Sequence, residues 1–319
     1  MIPALTAIIC THNPRMDHLK LTLSALQAQQ PLSGDRTWEL LLIDNASATP
    51  LSGMVDLGAH LNTRIVREER LGLSHARLRG FREARGDIIV CIDDDNVLDT
   101  GYLREILRAF DADPKLGAVG GKSIARYEVE PPSWFAGLGI SLACRDLGDA
   151  SIVADWSGSG SLGRVYPECA PIGAGMGLRR RAYATYIEAA RDDPRRMSLG
   201  RRGADLASGE DNDIVLSLLA SGWKVAYQPL LRLEHLIPAC RLTAEYLEQY
   251  AYSSNKTWVQ VLGVHGIKPW PAIPAWTVAL RKARAYVRSR AWTSVESRIS
   301  WRAACGLIEG QATIGAVQQ

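Results

Sequence analysis

Long apolar runs are missing from the 319-residue sequence. None reaches the roughly 18 residues that a membrane-spanning helix needs, so we expect no such helix. The first residues, MIPALTAIICTHNP, have neither a basic region nor a cleavage site, and a signal peptide is not expected. The first apolar run is followed by Thr-His-Asn-Pro and not by the GxGxxG motif of dinucleotide-binding enzymes, which argues against an oxidoreductase.

Cysteine pairs are also lacking. No two of the six cysteines are close enough in the sequence to form a CxxC pair, which argues against a disulfide scaffold and against a zinc site. Free cysteines are typical of a reducing compartment, so we expect a cytoplasmic protein. The six are Cys10, Cys91, Cys144, Cys169, Cys240 and Cys305.

An excess of charge of one sign is missing as well, because 37 lysines and arginines face 34 aspartates and glutamates. The net charge of +3 is too close to neutral to indicate a nucleic-acid partner, and none is expected. With 47% hydrophobic and 22% charged residues, the composition is typical of a chain that folds around a core.

The first half of the sequence alternates apolar runs with stretches of helical spacing. Strands are predicted at 5–10, 39–43, 64–66, 87–92 and 116–119, and helices at 16–29, 73–84 and 101–110. Unbroken apolar strands that alternate with helices indicate a parallel α/β sheet covered on both faces. In such a sheet the ligand binds beyond the carboxyl ends of the strands.

Polar clusters follow three of these strands, at residues 11–13, 44–45 and 93–96. One ligand at one edge of the sheet would account for all three. The last cluster begins with three adjacent aspartates, which repel one another unless a cation or hydrogen-bond donors compensate their charge. Carboxylates beside phosphate oxygens suit Mg²⁺ or Mn²⁺. The alternative is an exposed acidic turn that caps the next helix.

The second half of the sequence is less regular. Long loops are expected over 122–170, and the alternating glycines of a strand-like run at 172–178 indicate close approach of a ligand or another backbone. The remaining elements are expected to be helices at 180–190 and 212–220, a strand at 223–227 and a mostly helical segment at 241–319.

Two further motifs point to chemistry. Gly209-Glu210-Asp211 opens a predicted helix, where the free amides stabilise a carboxylate that is able to act as a general base, and the glycine leaves room for a substrate. A plain helix cap is the alternative. In RLGLSHARLRG, residues 70–80, Arg77 lies one turn from Ser74 near a helix start, which suits a diphosphate contact; a solvated arginine is the alternative.

The order of these motifs resembles that of a family 2 glycosyltransferase with the GT-A fold. The resemblance spans about residues 5–240 and is carried by strand–CTHNP, strand–DNAS, RLGLSHARLRG, strand–DDD, GAGMG and GEDND. It implies a Rossmann-like, mostly parallel α/β sheet flanked by helices, with a C-terminal helical extension. The implied organisation is a nucleotide-sugar-binding half at 1–121, an acceptor-binding and catalytic-base half at 122–240, and the extension at 241–319.

The resemblance also implies which residues bind the sugar nucleotide. The implied contacts are His12 by the base, Asp44 at the base imide, Arg77 at the diphosphate, Asp93 at the ribose and Asp94 in a shared or supporting role. Further substrate-binding residues are expected to be Thr11, Asn13 and Asn45.

The metal and the chemistry are implied in the same way. Asp95 and Asp93 would hold Mn²⁺ or Mg²⁺, and His235, in LEHLIP, would be a further metal or phosphate contact, an ordinary core histidine being the alternative. Asp211 would be the catalytic base with Glu210 as its partner. The sugar or acceptor pocket would be shaped by Gly173 and Ala174.

The activity that the resemblance implies is inverting transfer of a hexose from a nucleoside-diphosphate sugar, with UDP favoured, to a hydroxyl of a glycan or lipid-linked acceptor. Two other interpretations stay open. A nucleotidyltransferase also uses carboxylates after a strand, but it normally has a glycine-rich basic loop where this sequence has CTHNP. A non-catalytic sugar-nucleotide or glycan-binding protein would keep the fold without needing both acidic motifs.

The C-terminal segment 275–305 contains seven basic residues and Glu296, a net charge of +6, so that the rest of the chain sums to −3. A basic helix with tryptophans suits an anionic membrane surface, and a cytoplasmic enzyme peripheral to the inner face of a membrane is one expectation. Packing of this helix on the main domain, with solvated arginines, is the other. The interleaved apolar residues are Trp276, Leu280, Val287, Trp292, Val295 and Ile299.

Overall fold

The computed structural model describes residues 2–55, 62–157 and 164–316 and divides the chain into two compact units. The division into three consecutive functional segments that we expect from the sequence remains a prediction. The sheet unit comprises Met1–Arg126, Ala143–Asp193 and Ile214–Leu236. The helical unit comprises Tyr127–Leu142, Pro194–Asp213 and Ile237–Gln319.

Nine strands in the described part of the chain form one sheet. They are β1 (Leu5–Thr11), β2 (Trp38–Asn45), β3 (Asn62–Glu68), β4 (Ile88–Ile92), β5 (Asn96–Leu98), β6 (Leu116–Tyr127), β7 (Ile152–Ala154), β8 (Gly177–Arg179) and β9 (Lys224–Ile237). The helices are α1 (Met16–Gln27), α2 (Leu73–Glu83), α3 (Tyr102–Ala112), α4 (Arg180–Ala190), α5 (Pro194–Met197), α6 (Glu210–Ala220), α7 (Ala244–Val264), α8 (Val278–Ser289) and α9 (Val295–Ala316).

The strand order is β3-β2-β1-β4-β8-β6-β9-β5, with β7 paired to β9. The first four run parallel, and Leu5 at the start of β1 lies opposite Trp38 on β2 and Ile88 on β4. All five residues of β4 are buried, as expected where helices cover both faces of a sheet. The predicted alternation of parallel strands with helices is therefore confirmed. Because the register is nearly level, these strands end at one edge.

The core of the sheet unit fixes the position of that edge. Helix α1 buries Leu19, Leu23 and Leu26 at helical spacing, and they pack with side chains of β1, β2, β4 and α3. Each fully buried leucine stabilises the fold by roughly 1.5–3 kcal/mol. A polar side chain just beyond the end of such a strand is therefore attached to a rigidly packed part of the sheet.

The strands after β4 join the sheet differently from what the sequence indicated. The pairs β4–β8, β6–β8, β5–β9 and β7–β9 are antiparallel. Within the glycine-rich run predicted as a strand, only Gly177 and Leu178 are in a strand, and residues 173–176 form a turn. Gly175 has φ 75°, a conformation that side chains disfavour, and its carbonyl accepts a hydrogen bond from the Tyr102 hydroxyl at 2.8 Å.

The predicted loop segment 122–170 is described except for residues 158–163. It contains the end of β6, the short strand β7 and long stretches without helix or strand. The expectation of long loops is therefore confirmed for the described part of this segment.

The helical unit is built on α7 and α9, which approach closely because α9 has glycines at the contact. A Cβ atom added at Gly306 would overlap the carbonyl oxygen of Tyr252, and one at Gly310 would lie 2.7 Å from Cβ of Val259. The helical prediction for 241–319 is confirmed over the residues that are described. None of the helices in the described ranges combines the length and the apolar character needed to cross a bilayer.

Candidate active site

Asp44, at the carboxyl end of β2, is 1% exposed, and its carboxylate is surrounded by hydrogen-bond donors. Its carboxylate accepts hydrogen bonds from the backbone N–H groups of Ser47 at 3.1 Å and Leu51 at 3.2 Å, and from Arg67 at 3.0 Å. Burial alone would raise the pKa of Asp44, but these donors outweigh it, and the pKa lies below its ordinary value. Both carboxylate oxygens therefore already have protein partners, which leaves only their remaining lone pairs for a ligand.

Asn45, the next residue, holds the turn that leads into α2. Its side-chain amide donates to the carbonyl oxygens of Glu68 at 3.2 Å and Arg70 at 2.8 Å, and its Oδ1 accepts from the N–H of Gly72 at 2.8 Å. Gly72 has φ 138°, which a residue with a side chain rarely adopts. Asn45 therefore positions the start of α2, and with it Arg77.

The polar residues after β1 are tied to the end of β2. Nδ1 of His12 lies 2.7 Å from the carbonyl oxygen of Asn45, and the N–H of Asn13 donates to Ser47 Oγ at 3.0 Å. The structure thus brings the first two predicted clusters together. His12 and Asn13 remain exposed, so both are open to a ligand.

The three aspartates after β4 meet residues from β1 and α2. The Thr11 hydroxyl donates a hydrogen bond to Oδ2 of Asp94. Arg77, which is 4% exposed, places a guanidinium nitrogen 3.6 Å from Oδ1 of Asp93. The alternative of a solvated Arg77 is therefore wrong, and the structure brings Thr11, Arg77, Asp93 and Asp94 to the same edge of the sheet.

Asp95 contacts His235, which enters from a distant part of the sequence. The two side chains are 5% and 3% exposed, and Nε2 of His235 lies 3.3 Å from Oδ1 of Asp95. They are brought together because β5 and β9 pair antiparallel, with Asn96 opposite His235. The side-chain amide of Asn96 donates to Asp95 Oδ1 at 3.1 Å, and the Cys144 sulfur lies 3.9 Å from Nδ1 of His235.

The predicted metal ligands are brought together only in part. Asp95 and His235 are in contact, whereas the carboxylate of Asp93 faces Arg77. Within the described residues, no group of three or more His, Cys, Asp or Glu side chains is arranged to hold a metal ion. One carboxylate and one imidazole nevertheless fit Mn²⁺ or Mg²⁺, because such ions usually complete their coordination with phosphate oxygens and water.

The turn with Gly173 and Ala174 is attached to the strand that leads into the aspartates. Ala174 is 4% exposed, and Met176, at the end of the turn, accepts a hydrogen bond from the N–H of Cys91 on β4 at 2.9 Å. The turn therefore has a fixed position relative to Asp93.

Glu210 and Asp211 lie in the first turn of α6, in the helical unit. Glu210 is 3% exposed and Asp211 is half-buried, with its Oδ1 accepting from the N–H of Asn212 at 2.9 Å. The expectation that Gly209 leaves room for substrate is wrong, because a Cβ atom there would lie 2.6 Å from Val261 and 2.7 Å from Thr257 of α7. The glycine allows close packing of this turn on α7.

A buried ionic cluster beneath this turn was not predicted. Asp213 is fully buried, its Oδ1 accepts a hydrogen bond from Arg196, and the same oxygen lies 2.7 Å from Nε2 of His265. The only signal in the sequence was the position of Asp213 in GEDND, since its partners lie in other segments. The cluster fixes the beginning of α6 and therefore the direction of Asp211.

Two stacked tyrosines of α7 were also missed. The rings of Tyr246 and Tyr250 are 6.3 Å apart and nearly parallel, at 11°. Burial raises the pKa of Tyr250; the positive charge of Arg201 opposes this shift, and the negative charge of Asp211 adds to it. Their spacing of four residues on a helix was the available signal.

The sequence matches two family models: Glycosyl transferase family 2 over residues 6–156, and Glycosyl transferase family group 2 over residues 88–297. The chain belongs to glycosyltransferase family 2. The second match covers more than half of the chain and includes the three aspartates, the glycine turn and Asp211. The membership that the order of motifs implied is confirmed.

Known proteins of similar sequence cover only part of this family 2 chain, and the matches span less than half of each relative. A glucosyl-dolichyl phosphate glucuronosyltransferase of Haloferax volcanii is 22% identical over 135 residues, 41% of both proteins. An inactive polypeptide N-acetylgalactosaminyltransferase-like protein 5 of Macaca fascicularis is 31% identical over 122 residues, 36% of this chain and 27% of the relative. A dolichol-phosphate mannosyltransferase of Saccharomyces cerevisiae is 34% identical over 93 residues, 28% and 34% respectively.

Solved structures of similar fold cover nearly the whole chain. Residues 1–349 of S. aureus TarS superpose with a TM-score of 0.52 at 11% identity, over 99% of this chain and 92% of that chain. GalNAc-T7, solved with UDP, GalNAc and Mn²⁺, has a TM-score of 0.54 at 18% identity, over 92% and 52%. At such identities the similarity shows the fold alone, and it confirms the expected GT-A fold.

Proposed function

We propose that the protein transfers a hexose from a nucleoside-diphosphate sugar to a hydroxyl group of a glycan or lipid-linked acceptor. One observation carries the proposal: polar side chains from β1, α2 and the end of β4 meet beyond the carboxyl ends of the parallel strands, where ligands of such sheets bind. The principal residues at this edge are Thr11, Asp44, Arg77, Asp93, Asp94 and Asp95.

The donor is proposed to lie along this edge, with its diphosphate at Arg77. A buried guanidinium beside a carboxylate is well suited to phosphate oxygens, because its donors are fixed and already desolvated. His12 and Asn13 would flank the base, Asp44 and Asn45 would accept from it, and Asp93 would contact the ribose. A uridine nucleotide is favoured because TarS was crystallised with UDP and with UDP-GlcNAc, and GalNAc-T7 with UDP.

Mn²⁺ or Mg²⁺ is proposed to bind at Asp95 and His235, with Asp93 nearby. This assignment is supported by the burial and contact of Asp95 with His235, and by the Mn²⁺ in the GalNAc-T7 structure. When bound, the metal supplies positive charge that stabilises the nucleoside diphosphate as it leaves. Asn96 and Cys144 would orient Asp95 and His235 respectively.

Asp211 is proposed to be the general base and Glu210 its partner. As the acceptor oxygen bonds to the anomeric carbon, its proton passes to Asp211 and the bond from that carbon to the diphosphate oxygen breaks. A single displacement of this kind inverts the anomeric configuration. The position of Asp211 at a helix N-terminus, held by the Asp213 cluster, supports the role because a base has to be fixed in direction.

The acceptor is proposed to be a glycan or a lipid-linked molecule, in polysaccharide or glycan biosynthesis. Two relatives are named for dolichyl phosphate substrates, which favours a lipid-linked acceptor. Gly173 and Ala174 would line the sugar or acceptor pocket. Such an acceptor would place the enzyme at a membrane, on its cytoplasmic face.

A non-catalytic sugar-nucleotide-binding protein is the second candidate. It is favoured by the relative that is named inactive, and by the lack of three clustered metal ligands within the described residues. A nucleotidyltransferase has no comparable support, because the loop after β1 is not the glycine-rich basic loop that holds a transferred nucleotide: it has no glycine and a single basic residue, Arg15.

The test is a panel of nucleoside-diphosphate sugars with Mn²⁺, in which release of the nucleoside diphosphate by the full chain is measured with and without candidate glycan and lipid-linked acceptors. For the donor that is used, we expect Asp211→Asn to lower transfer by about 10²–10⁴-fold. Its affinity for UDP, measured by calorimetry, should be unchanged. The matched control is Asp192→Asn, an exposed aspartate that pairs with Arg191.

The outcomes separate the candidates. Full transfer by Asp211→Asn would exclude this residue as the base. Binding of UDP without release of diphosphate from any donor would favour the non-catalytic protein. Retention of the donor configuration in the product would contradict the single displacement.

A further inference from the structure

Helix α8 has one face attached to the helical unit and an opposite face that is exposed. Lys282 on the attached face forms an ion pair with Glu309 of α9, and its carbonyl accepts a hydrogen bond from the indole of Trp301 at 3.1 Å. The ring of Tyr286 packs edge-on against Trp301, with centroids 5.1 Å apart. These contacts fix the rotation of α8 about its axis.

The exposed face of α8 is apolar. Leu280, Ala283 and Val287 follow one another at spacings of three and four residues, which places them on one side of the helix. Leu280 is 71% exposed and Val287 64% exposed. Trp276 in the short 3₁₀ turn before α8 is 81% exposed, and Trp292 after it is 58% exposed. No described residue of α8 is buried.

Arginines flank this apolar stripe. Arg281, Arg284 and Arg288 lie on α8 and Arg290 directly follows it, and all four are exposed. Within the described residues, no carboxylate forms an ion pair with Arg284, Arg288 or Arg290. The flank therefore carries positive charge that no carboxylate in the described ranges neutralises.

We propose that the outer face of α8, defined as Leu280 and Val287 with Trp276 of the preceding turn and the flanking arginines, docks on an anionic lipid bilayer surface. Exposed tryptophan and aliphatic side chains bury themselves at the boundary between headgroups and acyl chains, while neighbouring arginines meet the lipid phosphates. Another protein copy explains the apolar stripe less well, because a symmetric contact would bring the uncompensated arginines of two copies close together.

The test is co-sedimentation of the full chain with phosphatidylcholine vesicles, with and without phosphatidylglycerol, in the absence of donor and acceptor. We expect binding to the anionic vesicles, little binding to the neutral ones, and weakening as salt is raised. The double variant Leu280→Gln/Val287→Gln should lose binding. The triple variant Arg281→Gln/Arg284→Gln/Arg288→Gln should lose about fivefold in partitioning for each charge removed.

Control variants make substitutions of the same kind at exposed positions of the sheet unit. Leu230→Gln alters a leucine of the sheet unit that is 64% exposed, and Arg82→Gln/Arg108→Gln/Arg191→Gln removes three exposed arginines of that unit. Both controls should sediment like the wild type. Equal losses in the control and test triples would show a general charge effect and overturn the proposal.

Two other results would also overturn it. One is equal sedimentation with neutral and anionic vesicles. The other is a change of oligomeric state in Leu280→Gln/Val287→Gln, measured by analytical ultracentrifugation, without a change in vesicle binding, since the face would then be an interface between copies. Because neither measurement uses a sugar nucleotide, failure of the docking surface is distinguishable from failure of the proposed activity.

Discussion

The edge of the parallel strands and the outer face of α8 depart from the usual distribution of side chains in opposite directions. At the strand edge, charged groups such as Asp44, Arg77 and Asp95 are at most 5% exposed. On α8, Leu280 and Val287 are more than 60% exposed. Charged residues are rarely buried without partners, and large exposed apolar patches are uncommon in monomers, so each region needs a physical reason.

The two regions teach different things about function. At the strand edge every buried charge has protein donors or acceptors, so the folded chain itself maintains the arrangement before any ligand arrives. On α8, no described part of the chain covers the apolar side chains of the outer face. Substitutions at the strand edge are therefore expected to change catalysis and donor binding. Substitutions on the outer face of α8 are expected to change membrane binding, with little effect on folding.

The largest effect is expected from Asp95→Asn, because it removes the buried carboxylate at the proposed metal site and leaves His235 without its charged partner. We expect the affinity for UDP in the presence of Mn²⁺ to fall by at least about 100-fold, as loss of several kcal/mol of charge stabilisation implies. Affinity without Mn²⁺ should change little. Calorimetric titration of UDP with and without Mn²⁺ measures both quantities.

The control for this variant is Asp99→Asn, an exposed aspartate four positions along the chain. It should bind UDP and Mn²⁺ like the wild type. Unchanged affinity in Asp95→Asn with Mn²⁺ present would contradict the metal assignment and would leave Asp95 as a structural partner of His235 and Asn96.

The strand edge was largely predictable from the sequence because its signal is local. In a parallel sheet, a polar cluster directly after an unbroken apolar strand, such as DDD after IIVCI, lies at the edge formed by the carboxyl ends of the strands. The contact of Asp95 with His235 was not predictable from spacing, since it depends on the antiparallel pairing of β5 with β9. The same limit hid the partners of Asp213, which are Arg196 in α5 and His265 directly after α7.

For the outer face of α8 the sequence left two interpretations open, contact with a membrane and packing on the main domain. Periodicity shows that apolar side chains share a face, but not whether another part of the chain covers it. The apolar residues of 275–305 include both buried and exposed side chains: Ile299 is 3% exposed, whereas Trp276 is 81% exposed. A glycine has the same ambiguity: Gly209 was expected to leave space for a ligand, and the space is filled by α7.

The next largest effect is expected from Arg77→Met, which removes the buried positive charge beside Asp93. Turnover should fall by about 10²–10³-fold, the usual cost of losing one fixed donor to a developing negative charge. Arg77→Lys, which keeps the positive charge but lacks the planar guanidinium group, should retain part of the turnover that Arg77→Met loses. Steady-state kcat and KM for the donor measure the effect. Arg82→Met on the same helix, where Arg82 is exposed, should behave like the wild type; an equal loss in both variants would point to damage of α2.

A smaller effect, on stability rather than catalysis, is expected at the attached side of α8. Burial would raise the pKa of Glu309, but Lys282, the Tyr252 hydroxyl and Lys256 outweigh it and lower the pKa of Glu309 from 4.5 to about 2. Because the folded pKa is lowered, this stabilisation is present above pH 4.5 and is lost as the pH falls towards 2. Glu309→Gln should reduce the free energy of unfolding by about 2 kcal/mol at pH 7.

Denaturant titration at several pH values measures this contribution. The difference between wild type and Glu309→Gln should shrink as the pH is lowered from 4.5 towards 2, because the wild-type carboxylate is then protonated. Glu188→Gln, an exposed glutamate of the sheet unit, serves as the control and should unfold like the wild type throughout. A difference that stays constant down to pH 2 would exclude the ionic contribution.

The smallest effect on stability is expected on the outer face of α8. Leu280→Ala should change the free energy of unfolding by less than about 0.5 kcal/mol, because the side chain is 71% exposed. Leu247→Ala, which truncates a fully buried leucine of α7, should lose about 2–5 kcal/mol. Denaturant unfolding of the two variants therefore compares the same truncation at two burials. If Leu280→Ala cost as much as Leu247→Ala, the outer face would be packed within the folded protein and the contrast with the strand edge would disappear. If it costs little while vesicle binding is lost, the exposed apolar side chains contribute to docking and not to the fold.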